Sequence, residues 1–118
     1  MDFNSLYWHD ATIIKIEIDR QDPGNNDSIS MIINWPNGVT NKILFENVYW
    51  ASFIMNYGVG ASESIRSASI IEDGDQDLAN VYLKWKSLIG DMKLVCYFIN
   101  TNSTNSDFKI IAKSFKVL

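Results

Sequence analysis

The stretch that most constrains this chain is its last quarter. Met92 to Thr101 is an apolar run in which Met92, Leu94, Cys96 and Phe98 alternate with Val95, Tyr97 and Ile99. The polar turn Asn102, Ser103, Thr104, Asn105, Ser106 follows, and the chain returns from Asp107 to Leu118. Apolar residues of both parities mean that both faces of the first strand are covered. The pattern predicts a β-hairpin whose first strand lies inside a sheet, with everything upstream supplying neighbours and covering layers. In the returning strand Phe108, Ile110 and Ala112 share one parity while Phe115 and Val117 have the other. Either the outer face is covered as well, or a bulge near Lys113 switches the side. Lys109, Lys113 and Lys116 suit a sheet edge, where lysine discourages pairing with other chains.

Upstream, Thr12 to Asp19 places Ile14, Ile16 and Ile18 in alternation with Lys15 and Glu17, the pattern of a half-buried strand. Arg20 to Asp27 contains Pro23-Gly24 among Asx residues and reads as a surface turn. Ser28 to Trp35 puts Ile29, Met31, Ile33 and Trp35 on one face, and Pro36-Asn37-Gly38 turns the chain into a third strand, Val39 to Glu46. The three form a meander. Residues 47–57 fit two periods: Trp50, Phe53, Ile54 and Tyr57 a helical stripe, Tyr49, Ala51, Phe53, Met55 and Tyr57 a strand. Asn47 as N-cap and Gly58 as stop tilt the reading to a short helix. Ser64 to Ile71 reads as a strand. Residues 77–89 read as a second helix capped by Asp77, with Leu78, Val81, Tyr82, Trp85, Leu88 and Ile89 on one face and Gly90 ending it; Val81, Leu83 and Trp85 fit a strand as well. The expected architecture is α+β: a mainly antiparallel sheet of about six strands, meander plus C-terminal hairpin, with one or two short packed helices.

No repeat, linker or low-complexity tract divides residues 1–118, which read as a single globular domain. A chain of this length buries roughly two thirds of its extended surface, enough for one core. Fourteen acidic against ten basic residues give a net charge of −4, which disfavours gripping a nucleic-acid backbone and suits a basic partner. The lone Cys96 excludes an internal disulfide and reads as a small core residue. Met1 to Asp10 lacks the basic start and apolar run of an export signal, and no apolar stretch is long enough to cross a membrane. The expected location is the cytoplasm.

Candidate chemistry is sparse. His9, the only histidine, precedes Asp10, a pairing that suggests a general base with its orienting carboxylate. Strand neighbours point to opposite faces, so the expected role is bonding to backbone where the first strand begins. A Cys96–His9 nucleophilic pair would need an open, electropositive thiol site, and one Cys with one His cannot fill a zinc site. Asp73, Asp75 and Asp77 have the spacing of a calcium loop, but Gly74 stands second and Lys84 occupies the place of the bidentate Glu. Glu72, Asp73, Asp75 and Asp77 therefore read as a dense negative loop, ordinarily just a solvated turn, that can also serve as a contact surface for a basic partner. No glycine pattern cradles phosphate. The expectation is no enzyme, no cofactor and no metal.

Four tryptophans, Trp8, Trp35, Trp50 and Trp85, read mainly as packing residues. Exposed ones could anchor a protein interface or stack on a sugar ring.

Two short patterns carry a resemblance. Tyr7-Trp8-His9-Asp10-Ala11 followed by Ile14, Ile16, Ile18 and Asp19, and Thr101-Asn102-Ser103-Thr104 leading to Ile110-Ile111-Ala112-Lys113, resemble small bacterial families grouped with the immunity proteins of polymorphic toxin systems. The resemblance implies stoichiometric binding and occlusion of a cognate toxin, with no catalytic residues to carry over. The preferred reading is a non-catalytic cytoplasmic protein-binding domain, monomer or homodimer, that uses Glu72, Asp73, Asp75, Asp77, Trp8, His9, Asp10 and Trp50 toward a protein partner such as a basic toxin. The alternative is a small-ligand or carbohydrate-binding module that uses Trp8, Trp35 or Trp50.

Overall fold

Alternating β-branched residues on either side of tight turns produce six strands: β1 (Thr12–Asp19), β2 (Ser28–Asn34), β3 (Thr40–Ile54), β4 (Glu63–Ile71), β5 (Val95–Thr101) and β6 (Asp107–Val117). Between β4 and β5 stand two short helices, α1 (Gln76–Lys84) and α2 (Lys86–Ile89). The computed structural model describes residues 2–118; Met1, part of the N-terminal stretch read for an export signal, lies outside them. The fold is α+β and mostly antiparallel sheet, and the sheet closes on itself in the order β1-β2-β3-β6-β5-β4. No helix among the described residues is long and apolar enough to cross a membrane.

Closure is uneven. β1 and β4 pair only at Thr12↔Ser64 and Ile13↔Glu63 and then diverge. The rest of the β4 edge is taken by the N-terminal segment: Ile65 N donates to Ala11 O at 2.7 Å, Asp10 N to Ile65 O at 3.0 Å, and Ile70 N to Asn4 Oδ1 at 2.8 Å. That segment also fills the barrel. Asp2 caps a 3-10 turn, Phe3–Ser5, which drops Phe3 fully buried among Trp8, Phe45, Tyr97 and Phe115, with ring centroids 4.7 to 6.3 Å apart. Trp8 Nε1 is satisfied by Phe3 O at 2.8 Å, so a buried indole costs no lost hydrogen bond.

β5 has the two covered faces its sequence requires. Tyr97 and Ile99 belong to the barrel interior, while Leu94 and Cys96 join Val81, Ile89 and Ile111 in a second cluster between the sheet and the helices. Several expectations are corrected. Residues 47–54 are strand, not helix, and belong to β3. Both periods fit that segment locally; β6 decides it by pairing from Val48↔Ala112 to Ile54↔Asp107. Asn47 is no N-cap but a left-handed residue, φ 52°, where β3 bends. Across that bend the register holds, Glu46↔Ser114 to Val48↔Ala112, while the β6 interior set changes parity from Ala112 to Phe115; the ladder shifts one step on, at a bulge between Val48 and Trp50 that leaves Tyr49 without a β6 partner. β6 lies between β3 and β5, so Lys109, Lys113 and Lys116 blunt no edge. In β1 a register shift between Ile13 and Lys15 buries Ile13 and leaves Ile14 59% exposed. The second helix is broken at Trp85, and its cap is Asp75, whose carboxylate accepts Leu78 N at 2.9 Å.

Candidate functional site

The bend at Asn47 divides β3 into halves with different neighbours. From Thr40 to Glu46 the strand pairs with β2, and from Ile43 it also pairs with β6. Beyond Glu46 it pairs, among the described residues, with β6 alone; the last bond on the other side runs from Val48 N to Asp27 O at 3.0 Å. Alternate N–H and C=O groups of the outer half therefore face away from the sheet. No charged residue and no proline occurs from Asn47 to Ser62.

A groove of about 830 Å³ runs along this unpaired edge. One wall is the barrel mouth, where Ile18, Ile29 and Phe53 come together; the other is the helix side, with Trp50, Trp85 and Leu88. Asp19 at the end of β1, with Arg20 and Asp27 of the turn that follows, closes one end. The arrangement offers unpaired backbone between two apolar walls, which suits binding by contact and hydrogen bonding.

The acidic loop is put to a different use. Lys109 Nζ lies 2.6 Å from Asp75 Oδ1 and 2.7 Å from Asp77 Oδ2, with Asp75 10% and Lys109 18% exposed. Burial works against the Asp75 charge, but the Lys109 and Leu78 hydrogen bonds outweigh it and hold the carboxyl below the ordinary aspartate range. For Lys109 burial likewise opposes the charge, and the two carboxylates overcome it and raise its pKa. The pair fastens the start of α1 to the outside of β6. Glu72 and Asp73 remain exposed.

His9 and Asp10 are solvent-facing, and their side chains do approach, Nε2 to Oδ2 at 3.6 Å. The expected divergence fails because Asp10 is not in a strand but in a turn with φ 67°. His9 Nδ1 meets Arg66 O at 3.1 Å, the backbone contact expected of it. Neither residue lines the groove. Trp8 is buried and presents no surface; Trp35 is half-buried against it and donates to Asn41 Oδ1 at 2.7 Å. Trp50 alone of the proposed partner-contacting residues lines the groove. Cys96 is buried, and burial together with the Asp75 charge pushes its thiol up to about 11. Among the described residues no three His, Cys, Asp or Glu side chains converge as metal ligands.

Sequence reasoning missed Ile18, Phe53, Trp85 and Leu88 as neighbours in one surface. For Phe53 the available signal was the long uncharged, proline-free run after Glu46, which reads as an open apolar strand edge as readily as a helix; nothing local linked Ile18, Trp85 or Leu88 to it. No protein-family model matches the chain, and no curated protein matches it either.

Proposed function

We propose that this chain is a non-catalytic protein-binding domain that takes its partner in the groove beside the outer half of β3. The observation that carries the reading is a strand edge without charge or proline, flanked by apolar walls. Ordinary edges are shielded by charge, proline, bulges or covering segments; here a bulge interrupts the ladder between Val48 and Trp50, and the regular edge beyond it, Trp50 to Ile54, has no such cover and borders an apolar concavity, which suits a contact surface. The resemblance to immunity proteins supplies the class of partner: a toxin held stoichiometrically and occluded, in the reducing cytoplasm that a free buried Cys96 suits. Glu72 and Asp73, together with the acidic turn between β1 and β2, favour a basic one.

The test compares three variants in affinity capture from the source cell's extract. Ile18→Lys and Leu88→Lys alter exposed groove residues; Leu83→Lys alters an exposed helix residue that does not line the groove. A stoichiometric protein retained by the native chain and Leu83→Lys, and lost by the other two, supports the reading. Capture of no stoichiometric protein across growth conditions, or equal capture by all variants, defeats it.

A second reading draws on the same groove. Trp50 and Trp85 line it together with the amides of Asn25 and Asn47, the combination that stacks on and hydrogen-bonds a sugar. Saturable quenching of tryptophan fluorescence by an oligosaccharide, abolished by Trp85→Ala, would favour the carbohydrate-binding alternative.

A further inference from the structure

Resting on the reading of the groove as a protein site, we propose that the partner contributes an extended segment that adds to β3 as a seventh strand, with large apolar side chains at alternate positions and a lysine or arginine at the end beside Val48. Backbone geometry gives the first part. Beyond Val48, whose N is bonded to Asp27 O, and the bulge that follows it, the free groups from Trp50 to Ile54 form a ridge along the groove, and the walls rise on either side of it: Ile29 and Phe53 belong to the barrel interior, Trp50 to the helix side. A strand bonded to that ridge points successive side chains to opposite faces, so alternate residues enter the mouth wall and the helix wall in turn. A helix or a globular surface would leave the ridge amides unpaired in an apolar groove, at a cost for each.

Charge gives the second part. The ridge and its continuation to Ser62 carry no charge, which matches an uncharged stretch of partner. At the Val48 end stands the turn between β1 and β2. There Arg20 is 3.4 Å from Asp27, which leaves Asp19 and Asp22 with no cation in ion-pair range among the described residues. Their carboxylates accept only Gln21 N and Asn25 Nδ2. A basic residue at that end of the added strand meets this surplus. A second copy of the chain fits less well. Paired edge to edge about Ser52, it would bring its own uncharged Ile54–Tyr57 to the acidic turn and set one net charge of −4 against another.

The experiment pans random displayed peptides of about seven residues against the full chain and then synthesises the enriched sequence. The expected consensus alternates large apolar residues and carries Lys or Arg at one end. N-methylation at one alternate set of peptide nitrogens weakens binding about tenfold or more, because the ladder bonds go, while methylation of the other set leaves it nearly unchanged. Binding also slows hydrogen exchange at alternate amides from Trp50 to Ile54, and Ile18→Lys and Leu88→Lys reduce affinity. A consensus without alternation, or binding indifferent to both methylation patterns, overturns strand addition while leaving the groove a protein site. No enriched peptide overturns it too; the groove then survives only if the extract capture succeeds. A concentration-dependent dimer in sedimentation equilibrium that Leu88→Lys dissociates replaces the proposed occupant with a second copy.

Discussion

The two halves of β3 are one continuous strand with opposite surroundings. In the inner half Lys42 and Glu46 stand opposite Ile32 and Ser28 of β2, and Glu46 also reaches Lys116 at 3.3 Å. Its inward residues Ile43 and Phe45 are fully buried under Phe3 and its ring neighbours. The outer half, Val48–Ile54, has no charge, half-buried inward residues and one neighbour strand instead of two. Charge thus appears where pairing is already complete and is absent where pairing is open. A chain avoiding association would do the reverse, since charge on a free edge is the usual protection. The sealed end carries the stability, and the open end is where the proposed partner would bind.

The largest expected effect breaks the sealed end. Phe3→Ala removes a ring that four aromatic neighbours enclose, at a cost of about 4 kcal/mol in denaturant unfolding. Phe53→Ala, at the open end beside Phe108, should cost about half as much because Phe53 is only half-buried. Equal losses would erase the contrast. Next, Lys109→Met strips the cation from Asp75 and Asp77 on the strand opposite Ser52, where it is partly buried, and should cost about 2 kcal/mol. Asp75 has a folded pKa below its unfolded one. Its contribution is therefore present above the unfolded value, near pH 4, and is lost as pH falls through the folded value. Unfolding curves taken between neutral pH and pH 2 should show that acid loss in the native chain and a smaller one in Lys109→Met. Third, Asn47→Ala removes the short polar side chain that makes φ 52° tolerable in the bend between the halves and should cost about 1 kcal/mol, whereas Asn47→Gly should be nearly neutral. A neutral Asn47→Ala would mean that the bend is held by β6 alone.

Much of the sheet was legible in the sequence, because β2 and β5 carry their burial in local alternation, whereas β1 was legible as a strand but not in its buried face: the register shift after Ile13 leaves Ile14 and Ile18 exposed. Both faces of β5 were readable as covered, and Cys96 as core, from residues within that one strand. What decided the rest lay far away in the chain. Residues 47–57 satisfy helix and strand periods alike, and only Phe108–Ala112 settle the matter by offering a ladder. Closure depends on the stagger between β1 and β4, which two pairs of residues establish and no local pattern encodes. The acidic loop looked like free charge because Lys109, its counterion, is in a strand more than thirty positions on. Trp8 is the packing residue its aromatic character suggested, but its use as a partner contact does not fit: with Phe3 it fills the barrel end, a use of the N-terminal stretch invisible until the barrel is known. His9 and Asp10 were judged with strand geometry, and a positive φ at Asp10 undid that assumption.

The smallest effect tests the comparison most directly, without any substitution. In the inner half, from Ile43 to Glu46, strands lie on both sides, so every amide has a ladder partner in one direction or the other. All of them should exchange slowly, near the rate set by global unfolding. Beyond the bulge, from Trp50 to Ile54, only the amides turned toward β6 have that protection; those turned toward the groove have none. Residue-resolved exchange of the free chain should therefore alternate slow and fast through the outer half, while the inner half stays uniformly slow. Uniform protection throughout β3 would mean that something in the chain itself already covers the edge, and a partner strand would then have no backbone to pair with. Uniformly fast exchange would point to fraying of the outer ladder, leaving the groove walls without a fixed ridge between them. Alternation alone marks an edge that is ordered and still unpaired, the condition under which adding a strand gains hydrogen bonds without first breaking any.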